Sequence, residues 1–291
     1  MATADNNQDQ KPKKRLDYSS LMGSGLAVVS LVGGLILEGG HFADIRQASA
    51  LLIVLGGTLG AVLLNTPLEL FKRVLRRLPE VFYYVPDQMD ERLNDIARLA
   101  QKARREGVVS LEDELEKIAD PFLRRALELG VDGMAQQEYR ETMELELELA
   151  ERRAEAEAHV LESAGGYAPT LGILGAVLGL IQVMKHIENI DQVGPGIAVA
   201  FVATLYGVGS ANLLFLPAAG KLRARSRSEL VCNEMVMEGV AAVMDGLNPK
   251  MIRQKLASFQ QRGLSEVRRK PAKMGETVKV SAPAGVPTVQ G

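Results

Sequence analysis

Residues Ala203–Pro217 read ATLYGVGSANLLFLP. The stretch is apolar enough to cross a bilayer, yet it collects Thr204, Tyr206, Ser210, Asn212 and a closing Pro217. It holds no Asp, Glu, Lys or Arg. It belongs to a longer uncharged run, Pro195–Gly220, and three more such runs precede it: Ser20–Leu37, Ala48–Leu64 and Ser163–Met184. Each is close to the roughly 17–25 apolar residues that span a bilayer as a helix. Core helices of soluble proteins seldom run this long without a charge. The expected fold is therefore all-α: a polytopic membrane protein with four transmembrane helices and a helical cytoplasmic domain.

The chain has 291 residues, 47% of them hydrophobic, and its formal charge of -2 gives no bias toward nucleic acid. The first run does not read as a cleaved leader, because Leu35–His41 (LILEGGH) offers no small-x-small site and a second span follows at once. Cys232 is the sole cysteine, so a disulfide framework is excluded, and with no His near it in sequence it reads as a packed thiol. No Walker motif, metal-ligand cluster or nucleophile arrangement is present, which argues against an enzyme, a metal site or a cofactor.

Basic residues set the expected topology. Lys11–Arg15 (KPKKR) precedes the first span, the segment Asn65–Glu162 is rich in Lys and Arg, and KLRARSRS opens the tail at Lys221. The two short connections, Glu38–Arg46 and Lys185–Val193, carry one basic residue each. The positive-inside rule then places both termini and the long middle segment in the cytoplasm. The expected segments are a disordered arm (1–17), spans one and two (18–66), a cytoplasmic helical domain (67–162), spans three and four (163–220), a helical tail (221–263) and a disordered extension (264–291).

Within the cytoplasmic mass, Met89, Leu93, Ile96, Ala97 and Ala100 recur at helical spacing in Asp87–Glu106, and Gly107 supplies a stop. Ser110 begins a capping-box pattern for a helix over Leu111–Ile118. Asp120-Pro121 and Asn248-Pro249 each open a helix. Glu144–Leu149 (ELELEL) alternates like a strand, but its continuation favours one long helix from Gln136 into the third span.

In lipid, helices associate where small residues let backbones approach. Gly172, Gly175 and Gly179 form one stripe on the third span, Ala203, Gly207 and Ala211 another on the fourth, and Gly56 with Gly60 a third on the second. Pro169 lies a few residues into the third span and Pro217 at the end of the fourth. A proline frees a carbonyl that then needs another partner. Each site could hinge or line an ion path, and Pro217 could equally end its helix at the membrane surface. An ion crossing hydrocarbon normally needs an ionisable relay, and none exists in any of the four runs. Either the chain transports nothing, or a partner helix supplies a carboxylate while Thr204, Tyr206, Ser210 and Thr170 supply polar walls. Taken alone, Thr204 reads as interhelical glue more readily than as an ion contact.

AFVATLYGVGSANLLFLP (Ala200–Pro217) and APTLGILGAVLGLI (Ala168–Ile181) resemble the last two membrane helices of MotA-type flagellar stator proteins. AQKARREGVVSLEDELE (Ala100–Glu116) is similar to that family's rotor-facing motif. LEGGHFADIRQASALLIVLGGTLGAVLL (Leu37–Leu64) looks like its first outer loop and second helix, nearest to the MotC or PomA-like branch. The resemblance runs from about Leu16 to Gln261.

It implies a subunit of an inner-membrane ring, a homo-oligomer (a pentamer), around the helices of two MotB-type partners, each carrying the ion on an aspartate. It implies that Pro169 and Pro217 are the family's two functional prolines, and that Arg104, with Arg105, and Glu112 act on the rotor switch protein FliG. Sodium-driven relatives carry a threonine in each of the last two helices. Here Thr204 keeps one and Ala176 stands at the other position, so an oxygen ligand for a dehydrated Na+ is missing and the reading favours H+. The alternatives are a sodium-driven PomA-type stator, an ExbB/TolQ-like energiser and a non-transporting membrane scaffold. ExbB/TolQ-type chains place their large cytoplasmic loop after the first span, whereas here it follows the second. His186, at the outer end of the third span, is expected at the headgroup level.

Overall fold

The computed structural model describes residues 15–43, 45–84, 89–188 and 190–268. Among the described residues, four helices are long and apolar enough to cross a membrane: Tyr18–Leu37, Ala48–Asn65, Gln136–Lys185 and Val193–Met244. The chain is thus a multi-pass helical membrane protein, as its uncharged runs predict.

Helices α1 (Tyr18–Leu37) and α2 (Ala48–Asn65) are the first two spans. A short amphipathic helix, α3 (Leu68–Arg77), follows the Thr66-Pro67 turn. Then come α4 (Met89–Glu106) and α5 (Pro121–Val131). Helix α6 (Gln136–Lys185) runs unbroken for 50 residues, roughly 75 Å at 1.5 Å per residue. Its partner α7 (190–244) returns antiparallel, and α8 (Pro249–Arg268) closes the described chain. Of the expected disordered ends 1–17 and 264–291, residues 1–14 and 269–291 lie outside the described residues, as do residues 87–88 at the expected start of α4, whereas residues 264–268 continue α8.

Local chemistry explains several boundaries. Gly107 stops α4 with φ +88°, and its N–H donates to the Ala103 carbonyl at 2.8 Å. Asp120 caps α5 by accepting from the Leu123 N–H at 2.8 Å, with Pro121 in the first turn. Asn248 caps α8 by accepting from the Lys250 N–H at 3.0 Å. The capping box expected at Ser110 does not form. Its hydroxyl donates backward to the Gly107 carbonyl at 2.6 Å, and Val108–Leu111 winds into a 3-10 turn before a single helical turn, Glu112–Leu115. Tertiary burial decides this, because the tighter turn puts Leu111 entirely inside the cytoplasmic core.

That core joins α4, α5 and α8 to the cytoplasmic ends of α6 and α7. Ile96, Leu127, Tyr139, Met143, Met235 and Ile252 are buried in it, and Cys232 is indeed a packed thiol. Tyr139 donates its hydroxyl to the Met237 carbonyl at 3.2 Å. Arg92 bridges Asp120 and Asn233, so α4, α5 and α7 share one buried polar node.

The first residues after the N-terminal arm are ordered, contrary to the sequence reading. Arg15–Leu16 pairs antiparallel with Tyr83–Tyr84. Asp17 caps α1, accepting from the Ser19 N–H and hydroxyl, and forms ion pairs with Lys221 and Arg225 of α7. Burial opposes its charge, but the hydrogen bonds from Lys221 and Ser19 outweigh that and hold the carboxyl well below its usual range. Beyond this base, no residue of α1 is buried.

Candidate functional site

The membrane seam is made by α6 and α7. A Cβ added to Gly207 would lie 2.6 Å from the Ala168 carbonyl oxygen and 2.9 Å from the Gly172 Cα. One added to Gly172 would lie 3.0 Å from the Ala203 carbonyl oxygen, and one on Gly175 2.8 Å from the Ala203 Cβ. At Gly179 it would meet Ala200. The two small-residue stripes therefore face each other at backbone contact, with Ala203 and Ala211 buried. The seam reaches further than the sequence stripes. Gly196 abuts Val183 toward the end of the pair at His186, and Gly165 abuts Leu216 toward the opposite end. The seven-residue spacing Gly165–Gly172–Gly179 was the available signal for that extension.

Within this chain, helix α2 does not pack through Gly56 and Gly60. Both are exposed, with no other helix against them. It packs through Ala50, Val54, Thr58 and Val62, while Gly57 meets Leu171 of α6. The residues Leu52–Gly56 form one wide π-type turn, and the Thr58 hydroxyl donates to the Val54 carbonyl within that region at 2.6 Å.

Pro217 does not close α7. The helix widens over Ala211–Phe215, where the Leu216 N–H reaches back to the Ala211 carbonyl, and then continues to Met244. A wide turn before a proline relieves the clash between its ring and the carbonyl four residues back. Pro169 lies within α6, and the carbonyl that it leaves without a helical donor belongs to Gly165. Gly165 packs against Phe215 and Leu216, the residues leading into Pro217. Pro217 thus follows the residues that pack on Gly165, one helical turn along α6 from Pro169, whose neighbour Ala168 instead meets Gly207.

The hydroxyls on this wall all donate to carbonyls: Thr204 to Ala200 at 3.2 Å, Ser210 to Gly207 at 3.2 Å and Thr170 to Tyr167 at 2.8 Å. A hydroxyl that spends its proton this way offers only lone pairs outward. Thr204 and Ala176 are half-buried beside the Gly172–Gly175–Ala203 contact, whereas Thr170 is exposed. Tyr206 is committed elsewhere. Its hydroxyl donates to the Ile45 carbonyl, clasping the outer loop to the middle of α7.

The charged motif of the cytoplasmic domain sits around Gly107. Arg104 and Arg105 are in the last turn of α4 and Glu112 begins the single turn beyond it; all three are exposed and form no ion pair among the described residues. Glu114, which sequence reasoning passed over, is 8% exposed and draws in Lys102 at 3.0 Å, Arg98 at 3.0 Å and Lys117 at 3.2 Å. These bonds, that from Lys102 foremost, lower its pKa to about 2. The signal lay in Arg98 and Lys102, one turn apart on α4 and aimed at the same carboxylate.

A chain with this paired-helix seam matches two family models: Motility protein A N-terminal over residues 21–107, and the MotA/TolQ/ExbB proton channel family over residues 114–235. It is 39% identical over 246 residues to Motility protein A of Bacillus subtilis, covering 84% of this chain and 91% of that one. The chain belongs to the MotA family. It is a MotA-type stator subunit, and its resemblance to that family is thereby confirmed. Chemotaxis protein PomA of Vibrio alginolyticus is more distant, 29% identical over 250 residues, with 85% and 97% covered. Among solved structures, MotAB of C. jejuni superposes with a TM-score of 0.78 at 32% identity, covering 84% of this chain and 96% of that one. The flagellar MotAB stator complex of Bacillus subtilis gives 0.77 at 38%, with 86% and 99% covered.

Proposed function

We propose that this MotA-type chain forms, with a MotB-type partner, a proton-conducting stator that converts ion flow into torque on FliG. One observation carries the reading: the uncharged runs of α6 and α7, Ser163–Met184 and Pro195–Gly220, offer hydroxyl lone pairs but no carboxylate, so the proton carrier would come from another chain. An aspartate on the partner helix would face the wall near Thr204 and Ala176. Several copies of this chain, five by the family resemblance, would surround two such partners in the inner membrane, with both termini in the cytoplasm. Arg104, Arg105 and Glu112 would form the exposed ridge that meets the rotor, and the site would need no cofactor or metal.

The energetics suit such a machine. Moving one charge through the membrane yields about 2.3 kcal/mol per 100 mV, whereas an exposed ion pair holds roughly 0–1 kcal/mol. Rotor contacts of that strength form and break within each step.

The test is co-expression with the cognate MotB-type chain in cells lacking stators, with proton and sodium gradients controlled separately. Restored swimming that stops with a protonophore and persists without sodium is expected. A motor that stalls without sodium would make this a PomA-type stator. Swimming that tolerates replacement of both Thr204 and Pro217, with assembly intact, would leave only the scaffold reading.

A further inference from the structure

Helix α3 follows span α2 directly after Thr66-Pro67, where the uncharged run of α2 ends. Its inner face is fixed. Val74, Leu70 and Phe71 pack against Val62, Leu161, Ala164 and Leu222, and Arg77 holds the buried Glu157 at 2.6 Å. Its outer face has a different character. Leu68 and Leu75 are 57% and 58% exposed. Lys72 lies one turn from both, Arg76 one turn beyond Lys72, and both cations are exposed without an ion pair among the described residues. Glu69, at the rim of the same face, is the one acidic side chain on α3 itself. Tyr18 and Tyr83, 75% and 41% exposed, carry aromatic rings at neighbouring positions near the base of α1.

An apolar stripe edged with cations, on a helix whose other face is packed against the spans, suits the headgroup layer of a bilayer. Aromatic rings concentrate at that same layer. Water would be a poor solvent for Leu68 and Leu75, and hydrocarbon a poor one for Lys72 and Arg76. Only the boundary between them suits all four. We propose that the outer face of α3 docks acidic phospholipid headgroups of the cytoplasmic leaflet, with Leu68 and Leu75 in the acyl boundary and Lys72 and Arg76 against lipid phosphates. The site rests on the cytoplasmic placement of α3 and is independent of the rotor and ion assignments. It makes the composition of the leaflet a determinant of how the channel-wall helices are held, because Arg77 and Glu157 connect α3 directly to α6.

The experiment uses the purified complex with its MotB-type partner, in mixed micelles and in nanodiscs of phosphatidylcholine with or without phosphatidylglycerol. Native mass spectrometry reads which lipids stay bound. The wild type should retain phosphatidylglycerol in preference to phosphatidylcholine, and the preference should fall roughly five-fold for each charge removed in Lys72→Gln and Arg76→Gln. Both side chains are exposed, so the variants should assemble with the same size-exclusion profile. Equal retention by wild type and double variant overturns the proposal. A fluorophore at Leu75→Cys should be quenched by nitroxide-labelled lipid in nanodiscs. Shielding from that quencher would mean that a second copy of the chain covers this face, and would overturn the proposal too.

Discussion

Gly207 of α7 and Gly172 of α6 meet backbone to backbone: a Cβ on Gly207 would stand 2.9 Å from the Gly172 Cα and 2.6 Å from the Ala168 carbonyl oxygen. Neither listener to that contact can retreat, since both are main chain in continuous helices. Gly207→Ala should therefore destabilise the purified complex by about 1–3 kcal/mol, the usual range for overpacking. Gly209→Ala, where an added Cβ has no neighbour within 4 Å, should be neutral or slightly stabilising. Thermal unfolding of the two variants side by side checks this; equal melting temperatures would mean that the seam yields.

Glu114 ties the turn after Gly107 down onto α4 through Lys102, Arg98 and Lys117. Glu114→Gln keeps the shape but removes the charge, and should cost about 1–2 kcal/mol. Its folded pKa is about 2, below the ordinary 4.5. The carboxylate thus contributes stability that is complete above pH 4.5 and is lost as pH falls toward 2. Acid unfolding of wild type and variant should converge at the low end of that window, and a constant difference down to pH 2 would contradict the assignment.

Reversing Arg104 and Glu112 together should impair swimming while the complex still assembles and reaches the membrane, because both side chains are exposed and form no ion pair among the described residues. Swimming speed and membrane abundance measured on the same cultures decide it. Normal swimming would remove these residues from the rotor contact.

Asp17 caps α1 and anchors it to Lys221 and Arg225. Asp17→Ala should cost about 1 kcal/mol or more through the lost cap alone. Hydrogen exchange should quicken at the Ser19 and Ser20 amides while the α6–α7 seam stays protected. Unchanged exchange at those amides would show that the Arg15–Leu16 pairing holds the base unaided.

Much of this molecule is legible along the chain because bilayers impose a simple rule. A run without charges and of spanning length must be a helix in lipid, since no other segment satisfies its backbone there. Four such runs give the spans, and proline, glycine and Asp or Asn caps give most of the cytoplasmic boundaries. The stripes Gly172–Gly175–Gly179 and Ala203–Gly207–Ala211 were equally visible, because helical spacing alone puts them on one face.

Which stripes meet was not legible. Gly56 and Gly60 form as good a pattern as Gly172 and Gly179, yet α2 turns them outward and packs through Val54, Thr58 and Val62. Pro217 carries the local signal of a helix end, yet the wide turn over Ala211–Phe215 lets α7 run on to Met244, where Val236 and Val240 complete the cytoplasmic core. Nor could the sequence pair the Tyr206 hydroxyl with the carbonyl of Ile45, far away in sequence. Sequence by itself determined the spans, because solvation by lipid acts on each segment alone. Tertiary structure decided the pairings, because close packing and hydrogen-bond satisfaction depend on which partner arrives.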